Sequence, residues 1–252
     1  MIEVFILSLI QGITEFIPVS SSAHLFLVSE FINFDDQSLS IDVSLHIGSF
    51  IAVVSYFQKD LISFIKNIDL FVKILISSIP VMIVGFILIE TNLIEKIRNL
   101  KVISWTTLIF GFLLYYSDKF KLNNNLKENF SIKSALFIGI FQILSLVPGV
   151  SRSGITISAA RILKFSRYDS AKISFLLSIP TLAAVSIFGL QNMIVEENIS
   201  FTTINFLAIF FSFLISFITI KYFLNFVKNF SLKIFVFYRI ALGLVLLSIA
   251  YL

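Results

Sequence analysis

Eight apolar stretches, at about 1–29, 43–57, 70–89, 102–117, 131–163, 173–190, 201–220 and 232–252, constrain this chain more than any single residue does. About 20 apolar residues cross the ~30 Å hydrocarbon core of a bilayer as a helix. Inside lipid only helices and closed barrels satisfy every backbone polar group. Of the 252 residues, 58% are hydrophobic and 13% charged, against about 45–50% and about 25% in soluble chains. That leaves too little polar side chain to clothe a globule. The expectation is an all-α integral membrane protein, a single polytopic domain over 1–252 with no room for a soluble one.

Several function classes fall away on the same arithmetic. With no cysteine, disulfides, thiolate metal sites and thiol redox chemistry are excluded. The net charge of +4 comes without a basic run or a patch of interleaved aromatics, so nucleic acid is not an expected partner. Membrane lipid is. The first basic residue is Lys59, which leaves the N-terminus without the positive region of a cleavable signal peptide; the first apolar stretch is expected to belong to the mature protein. Thirty Phe beside one Trp reads as compositional bias and carries no function.

Six of the eight stretches read as plain transmembrane helices. The first and fifth carry a proline and a serine cluster at their centres, Ile17-Pro18-Val19-Ser20-Ser21-Ser22 and Val147-Pro148-Gly149-Val150-Ser151-Arg152-Ser153-Gly154. Proline removes a helical hydrogen bond and disfavours helix in the residue before it, while serine caps helix N-termini. Each of these segments is therefore expected to be two half-helices with a break. Gln11 to Pro18 overlays Gln142 to Pro148 with a slip of one residue, and three simple spans follow each. This predicts two repeats, 1–117 and 131–252, joined by a linker at 118–130. Paired interrupted segments in the two halves point to a site at the membrane midplane.

The loop charges predict the orientation. If both broken segments enter and leave on one face, loops 58–73, 118–133, 161–172 and 221–233 share a side and hold 14 of the 19 basic residues. Loops 30–42, 90–101 and 190–200 then hold three, against eight acidic residues. The positive-inside rule makes the first set cytoplasmic. Both termini are then expected outside, the first hairpin entering from outside and the second from inside, as inverted repeats. Only Arg152 and Arg239 are left within apolar segments.

A helix N-terminus carries unpaired N–H groups and about half a positive charge. Two half-helices beginning near Ser20–Ser22 and Ser151–Ser153 can aim both positive ends at one point, an anion site. The planar fork of Arg152 suits a phosphate, and Ser20, Ser151, Ser153 and Thr156 add hydroxyl donors. Facing them, Gln11 and Glu15 share a helical face and His24 follows the first break. Glu15 as base or orienter, Ser21 as candidate nucleophile and His24 as acid or nucleophile make a hydrolytic set. Ionisable side chains in hydrocarbon are functional candidates because even low estimates put their cost near 2.5–3.5 kcal/mol. Plainer readings stand beside these: the serines as N-caps, His24 as a core histidine, and Glu15 simply paired with Arg152. His46 reads equally as interhelical packing or as a substrate edge. Arg239 reads as a snorkelling or ion-paired side chain ahead of catalysis, and Asp42 as a solvated outer-loop residue.

The run Gln11-Gly12-Ile13-Thr14-Glu15-Phe16-Ile17-Pro18-Val19-Ser20-Ser21-Ser22-Ala23-His24 resembles the E/Q-x-x-x-E segment, with its following P-V-S-S-x-x-H, of the bacitracin-resistance type of undecaprenyl-diphosphate phosphatases. Pro148-Gly149-Val150-Ser151-Arg152-Ser153-Gly154-Ile155-Thr156 resembles the same family's P-G-x-S-R-S-G-x-T segment. Leu45-His46-Ile47-Gly48 and Tyr238 to Gly243 are also similar to family segments, so the likeness spans essentially the whole chain. The resemblance implies a hydrolase dependent on a divalent cation, Mg²⁺ or Ca²⁺, that removes the terminal phosphate of an isoprenyl diphosphate lipid at the outer face of the bacterial inner membrane. That activity recycles the lipid carrier of cell-wall synthesis and underlies bacitracin resistance. Carried onto this chain, Glu15, Ser21, His24 and Arg152 are the catalytic candidates, Ser151, Arg152, Ser153 and Thr156 bind phosphate, and Glu15 with Gln11 holds the metal. Gln11 takes the permitted alternative to glutamate, which removes one carboxylate from a two-carboxylate metal model. Serine, histidine and water stay open as nucleophile. A homodimer is compatible with all of this. The rival function is a transporter or flippase for an anionic lipid, which has no need of the Glu15, Ser21 and His24 group.

Overall fold

The computed structural model describes residues 1–31, 39–64, 68–91, 93–120, 122, 124–195 and 202–252. Much of the expected outer loops 30–42 and 190–200 lies outside the described residues, as do Lys66 and Lys121 among the counted loop charges. In chain order the helices are α1 (Ile2–Thr14), α2 (Ser21–Phe31), α3 (Leu39–Tyr56), α4 (Gln58–Phe64), α5 (Ile68–Glu90), α6 (Leu93–Ile97), α7 (Leu100–Asp118), α8 (Leu126–Asn129), α9 (Ile132–Ile143), α10 (Arg152–Ile162), α11 (Arg167–Val195), α12 (Thr203–Asn229) and α13 (Lys233–Tyr251). A 3₁₀ turn, Leu144–Leu146, continues α9.

Helices α3, α5, α7, α11, α12 and α13 are long and apolar enough to cross a membrane, the six plain spans read from the sequence. The chain is an all-helical, multi-pass membrane protein. Its surface is inverted relative to a soluble protein: Ile83, Phe86 and Ile87 of α5, Phe206 and Phe210 of α12, and Phe237 of α13 point outward. Small polar residues sit inside, with Ser49, Ser77, Ser104, Ser174, Ser212 and Ser216 fully buried. Water gives apolar side chains no reason to hide in lipid, so close backbone approach and interhelical hydrogen bonds hold such bundles together. Where α3 meets α12, Ser49 Oγ lies 3.2 Å from Ser212 Oγ and 3.1 Å from Ser216 Oγ. A Cβ added at Gly48 would fall 2.5 Å from the carbonyl oxygen of Ile209, so only glycine permits this approach.

The closest helix pairings are α3 with α12 and α11, α7 with α13, α1 with α12, and α5 with α9 and α11. Helix α10 lies against α7, α9 and α11. Thus α1 packs on a span from the second half of the chain, and α9 on a span from the first.

Several basic residues counted as loop charges are structural pins. Arg167 reaches Asp118 with two bonds, Nε to Oδ1 at 2.6 Å and Nη2 to Oδ2 at 3.0 Å, and the backbone N–H of Leu232 donates to Oδ2 at 3.2 Å. Arg161, 2% exposed, donates to the carbonyls of Asp118, Phe120 and Phe165. One carboxylate thereby ties the end of α7 to the starts of α11 and α13. Lys172 Nζ pairs with Asp60 Oδ1 at 2.6 Å.

Two expectations are corrected. Asp42 is not a solvated loop residue: α3 begins at Leu39, Asp42 occupies its first turn, and its Oδ1 is buried without a partner among the described residues. Hydropathy locates the hydrocarbon layer, whereas the helix continues past it. Arg239 neither snorkels nor pairs with a carboxylate among the described residues. It is 0% exposed and donates only to backbone carbonyls.

Candidate active site

Both interrupted segments break where the prolines and serines stand. Helix α1 stops at Thr14, residues 15–19 form turns, and α2 starts at Ser21. The second segment leaves helical geometry after Leu146 and resumes it at Arg152. The residue preceding each new helix, Ser20 in one and Ser151 in the other, has a positive φ, 83° and 72°. For a residue with a Cβ this conformation costs of order 1–2 kcal/mol and concentrates at functional sites. At Ser151 the strain is offset by its hydroxyl, which accepts the Gly154 N–H at 3.1 Å and caps α10. Gly149 also has a positive φ, 89°, and a Cβ there would lie 2.2 Å from Thr106 Oγ1.

Glu15, 7% exposed, is the hub. Its Oε1 accepts from Arg152 Nη2 at 2.9 Å, and its Oε2 accepts from Ser21 Oγ at 2.7 Å and from Gln11 Nε2 at 3.2 Å. Residues from both breaks thus meet on one carboxylate, and the cross-segment pair expected of Glu15 and Arg152 is formed. Of the five guanidinium donors, Arg152 uses one on the Ser174 carbonyl at 3.2 Å and others on the carbonyl and carboxylate of Glu15. Among the described residues, Nε–H and one further N–H have no partner and can meet a ligand oxygen.

Gln11 is fully buried, and its Nε2 also lies 3.1 Å from His46 Nδ1. Because that amide nitrogen donates to Glu15, His46 Nδ1 is the acceptor of the pair. The amide oxygen Gln11 Oε1 is then left buried without a partner among the described residues. His46 thus reaches Glu15 through Gln11, by a hydrogen bond that links α3 to α1.

The remaining predicted residues sit one step away. Ser20 Oγ and Ser22 Oγ are 3.3 Å apart. Ser153 Oγ donates to the Ile17 carbonyl at 2.9 Å, clasping one break to the other, and lies 3.2 Å from Ser151 Oγ. Thr156 is fully buried and its hydroxyl is engaged by the Arg152 carbonyl at 2.8 Å and Ser174 Oγ at 2.7 Å, so it supports the turn that carries Arg152. His24 contacts neither Ser21 nor Glu15 by a hydrogen bond. Its Nδ1 is 2.6 Å from the Ser20 carbonyl oxygen and its Nε2 is 2.5 Å from the Tyr238 hydroxyl.

Sequence reasoning underweighted Arg239 and passed over Tyr238. Arg239 donates to Gly149 O at 3.0 Å, Val150 O at 3.1 Å and Thr107 O at 3.2 Å, with longer contacts to Pro18 O at 3.4 Å and Thr106 O at 3.5 Å. These carbonyls belong to the two breaks and to α7, where an interrupted helix leaves acceptors unpaired. An arginine left within an apolar segment was the available signal; the carbonyls it serves carry none.

The model of the bacitracin resistance protein BacA family matches residues 4–245. The chain belongs to that family. It is 47% identical over 251 residues to an undecaprenyl-diphosphatase of Pelagibacter ubique (strain HTCC1062), covering 99% of this chain and 98% of that one. It is 37% identical to an undecaprenyl-diphosphatase of Jannaschia sp. (strain CCS1), covering 98% and 97% of the two chains. A third relative of that name, from Alcanivorax borkumensis, is 36% identical with 97% of each chain covered. Family and motifs therefore agree along the whole length.

Proposed function

We propose that this membrane enzyme hydrolyses undecaprenyl diphosphate to undecaprenyl phosphate and inorganic phosphate, so recycling the lipid carrier of cell-wall synthesis and giving bacitracin resistance. The observation that carries the reading is the hydroxyl of Ser21 donating to a carboxylate oxygen of Glu15 at 2.7 Å while Arg152 holds the other oxygen at 2.9 Å. A nucleophile in contact with its base, the base oriented by a third group, is the arrangement of covalent catalysis. Transport of an anionic lipid requires no such contact, and relatives named for the hydrolase cover the full chain.

Ser21 is the nucleophile in this reading. Its Oγ attacks the terminal phosphorus as its proton passes to Glu15 Oε2; the bond from that phosphorus to the bridging oxygen breaks, and undecaprenyl phosphate leaves. As a phosphate monoester the leaving group needs no proton. Water then attacks the phosphoserine, the bond from phosphorus to Oγ breaks, and Oγ recovers the proton held by Glu15. The free N–H groups of Arg152 and the N-terminus of α10 face charge gathering on the phosphoryl oxygens. Ser20, Ser151, Ser153 and Thr156 keep the two breaks shaped around that group.

The donor set fits a divalent cation. The unpartnered Gln11 Oε1 and the Glu15 carboxylate are hard oxygen ligands, few in number, as in sites where Mg²⁺ takes one or two carboxylates and completes its shell with water and substrate phosphates. A bound Mg²⁺ or Ca²⁺ supplies charge neutralisation at the diphosphate.

The finer architecture belongs to the same proposal: inverted repeats 1–117 and 131–252, a linker 118–130, and both interrupted segments re-entering the face they came from. At 1.5 Å per residue, α1 and α2, with 13 and 11 residues, are each too short to cross ~30 Å of hydrocarbon. The exchanged packing adds support: Gly12 of α1 abuts Ile215 and Ser216 of α12, and Gly139 of α9 abuts Ser77 of α5. The loop charges support the same reading, with both termini and the site opening on the outer face of the inner membrane. The test is phosphate release by the detergent-purified protein from undecaprenyl diphosphate, trapping of phosphoserine, and loss of both in Ser21→Ala. Full turnover by Ser21→Ala would remove serine as nucleophile.

A further inference from the structure

His24 is held at both ring nitrogens. A carbonyl oxygen only accepts, so the 2.6 Å contact with Ser20 O requires the proton on Nδ1. A neutral imidazole then has one lone pair, on Nε2, and the Tyr238 hydroxyl sits on it at 2.5 Å. The two rings stack at 5.7 Å between centroids and 11° between planes. The arrangement is fixed from both ends. Ser20 aims its carbonyl through the strained φ of 83°. Tyr238 precedes Arg239, which is anchored to carbonyls of both breaks and α7. Tyr238 is 45% exposed, while the imidazole is partly buried, so the phenol is the outer of the two stacked rings. His24 also follows Ser21 by three residues in α2, which places both on one helical face.

A proton that reaches Nε2 must therefore come through the Tyr238 oxygen. We propose that Tyr238 is a catalytic proton relay between the water that resolves the phosphoserine and His24. This rests on the two-step reading above. The water oxygen forms its bond to phosphorus as one water proton passes to the Tyr238 oxygen and the Tyr238 proton passes to Nε2. The bond from phosphorus to Ser21 Oγ breaks, and Oγ takes the proton from Glu15. Imidazolium and free phosphate result, and the departing phosphate or bulk water takes the His24 proton. A hydroxyl is both donor and acceptor, so Tyr238 keeps its bond to His24 when Nε2 becomes protonated, now as acceptor. Phenylalanine keeps the stacked ring and cannot do this.

The experiment pairs kinetics with nitrogen NMR on the full chain in detergent. Tyr238→Phe should still release a first equivalent of undecaprenyl phosphate in a rapid burst, accumulate phosphoserine, and then turn over roughly 100-fold slower, the size of effect usual for a lost proton-transfer group. Its KM should fall together with kcat, which a merely loosened fold would not produce. The chain has only two histidines, so ¹⁵N-histidine labelling gives two resolvable rings. His24 should be the Nδ1–H tautomer and His46, whose Nδ1 accepts from Gln11, the Nε2–H tautomer; His46→Gln assigns the signals. Unchanged kcat in Tyr238→Phe, with phosphoserine trapped in the parent, overturns the relay alone. So does an Nε2–H tautomer at His24. No phosphoserine in parent or variant overturns the two-step reading, and the relay falls with it.

Discussion

Replacing Arg239 by methionine isolates what a buried arginine does for two broken helices. Three of its hydrogen bonds are well formed, at 3.0 to 3.2 Å, to Gly149, Val150 and Thr107, and two are long. Bonds from a charged donor contribute about 1.5–3 kcal/mol each, so the three good ones amount to roughly 5–9 kcal/mol. Methionine fills most of the volume and relieves the burial of a guanidinium, an offset of several kcal/mol. The carbonyls left behind cannot leave with it, because the breaks at Pro18 and Gly149 hold them in place. A net loss of about 3 kcal/mol follows, or roughly 6–12 °C in Tm for a chain this long. The single tryptophan, Trp105, immediately precedes Thr106 and Thr107 on α7 and reports unfolding by fluorescence. Arg239→Lys, with three donors on a point charge, should recover only part of the loss. If Arg239→Met melts with the parent and loses activity through KM alone, Arg239 is a substrate ligand instead of a brace.

Other substitutions separate the site from its scaffold. Glu15→Gln should cut kcat by at least roughly 100-fold, measured as phosphate release, while near-parental melting shows that the fold survives. Arg152→Lys keeps the charge yet loses the planar fork that holds Glu15 and Ser174 and is proposed to meet phosphate, so activity should fall without recovery at higher substrate. Gly149→Ala combines a φ of 89° with a Cβ 2.2 Å from Thr106 Oγ1, and should lower both melting temperature and yield of folded protein. If the proposed divalent cation is required, chelation should abolish phosphate release and leave melting almost unchanged, because Asp118, Arg161 and Arg239 brace the bundle; a chelated sample that unfolds would refute the second half of that expectation.

How much of this was written in the sequence depends on which physical signal carries each element. The six spans were legible because hydropathy integrates over some 20 residues, and lipid rewards the sum without regard to detail. The two breaks were legible because proline and serine act locally, and α2 and α10 begin within a residue of the serines that mark them. Glu15, His24 and Arg152 stood out because ionisable groups in hydrocarbon are costly; Glu15 and Arg152 meet, with Ser21 on the same carboxylate, while His24 sits against Ser20 and Tyr238. Asp42 was hidden by the reverse effect: a helix can run on past its apolar stretch, so hydropathy could not tell a charged first turn from a loop. Arg239 was misread because sequence names donors and leaves backbone acceptors blank; its partners are carbonyls of Pro18, Gly149 and Val150, exposed by the breaks themselves. Tyr238 was missed because nothing about an aromatic near a helix start distinguishes lipid contact from chemistry until α13 sets its hydroxyl on His24. The positive φ at Ser20 and Ser151 has no side-chain signature either, since glycine would announce it and serine does not. Strain of this kind is retained only where the surroundings over-determine it. Here the Arg239 brace and the Ser153 clasp from one break to the other supply that constraint, so the conformation of the two breaks depends on side chains that hold backbone carbonyls in place.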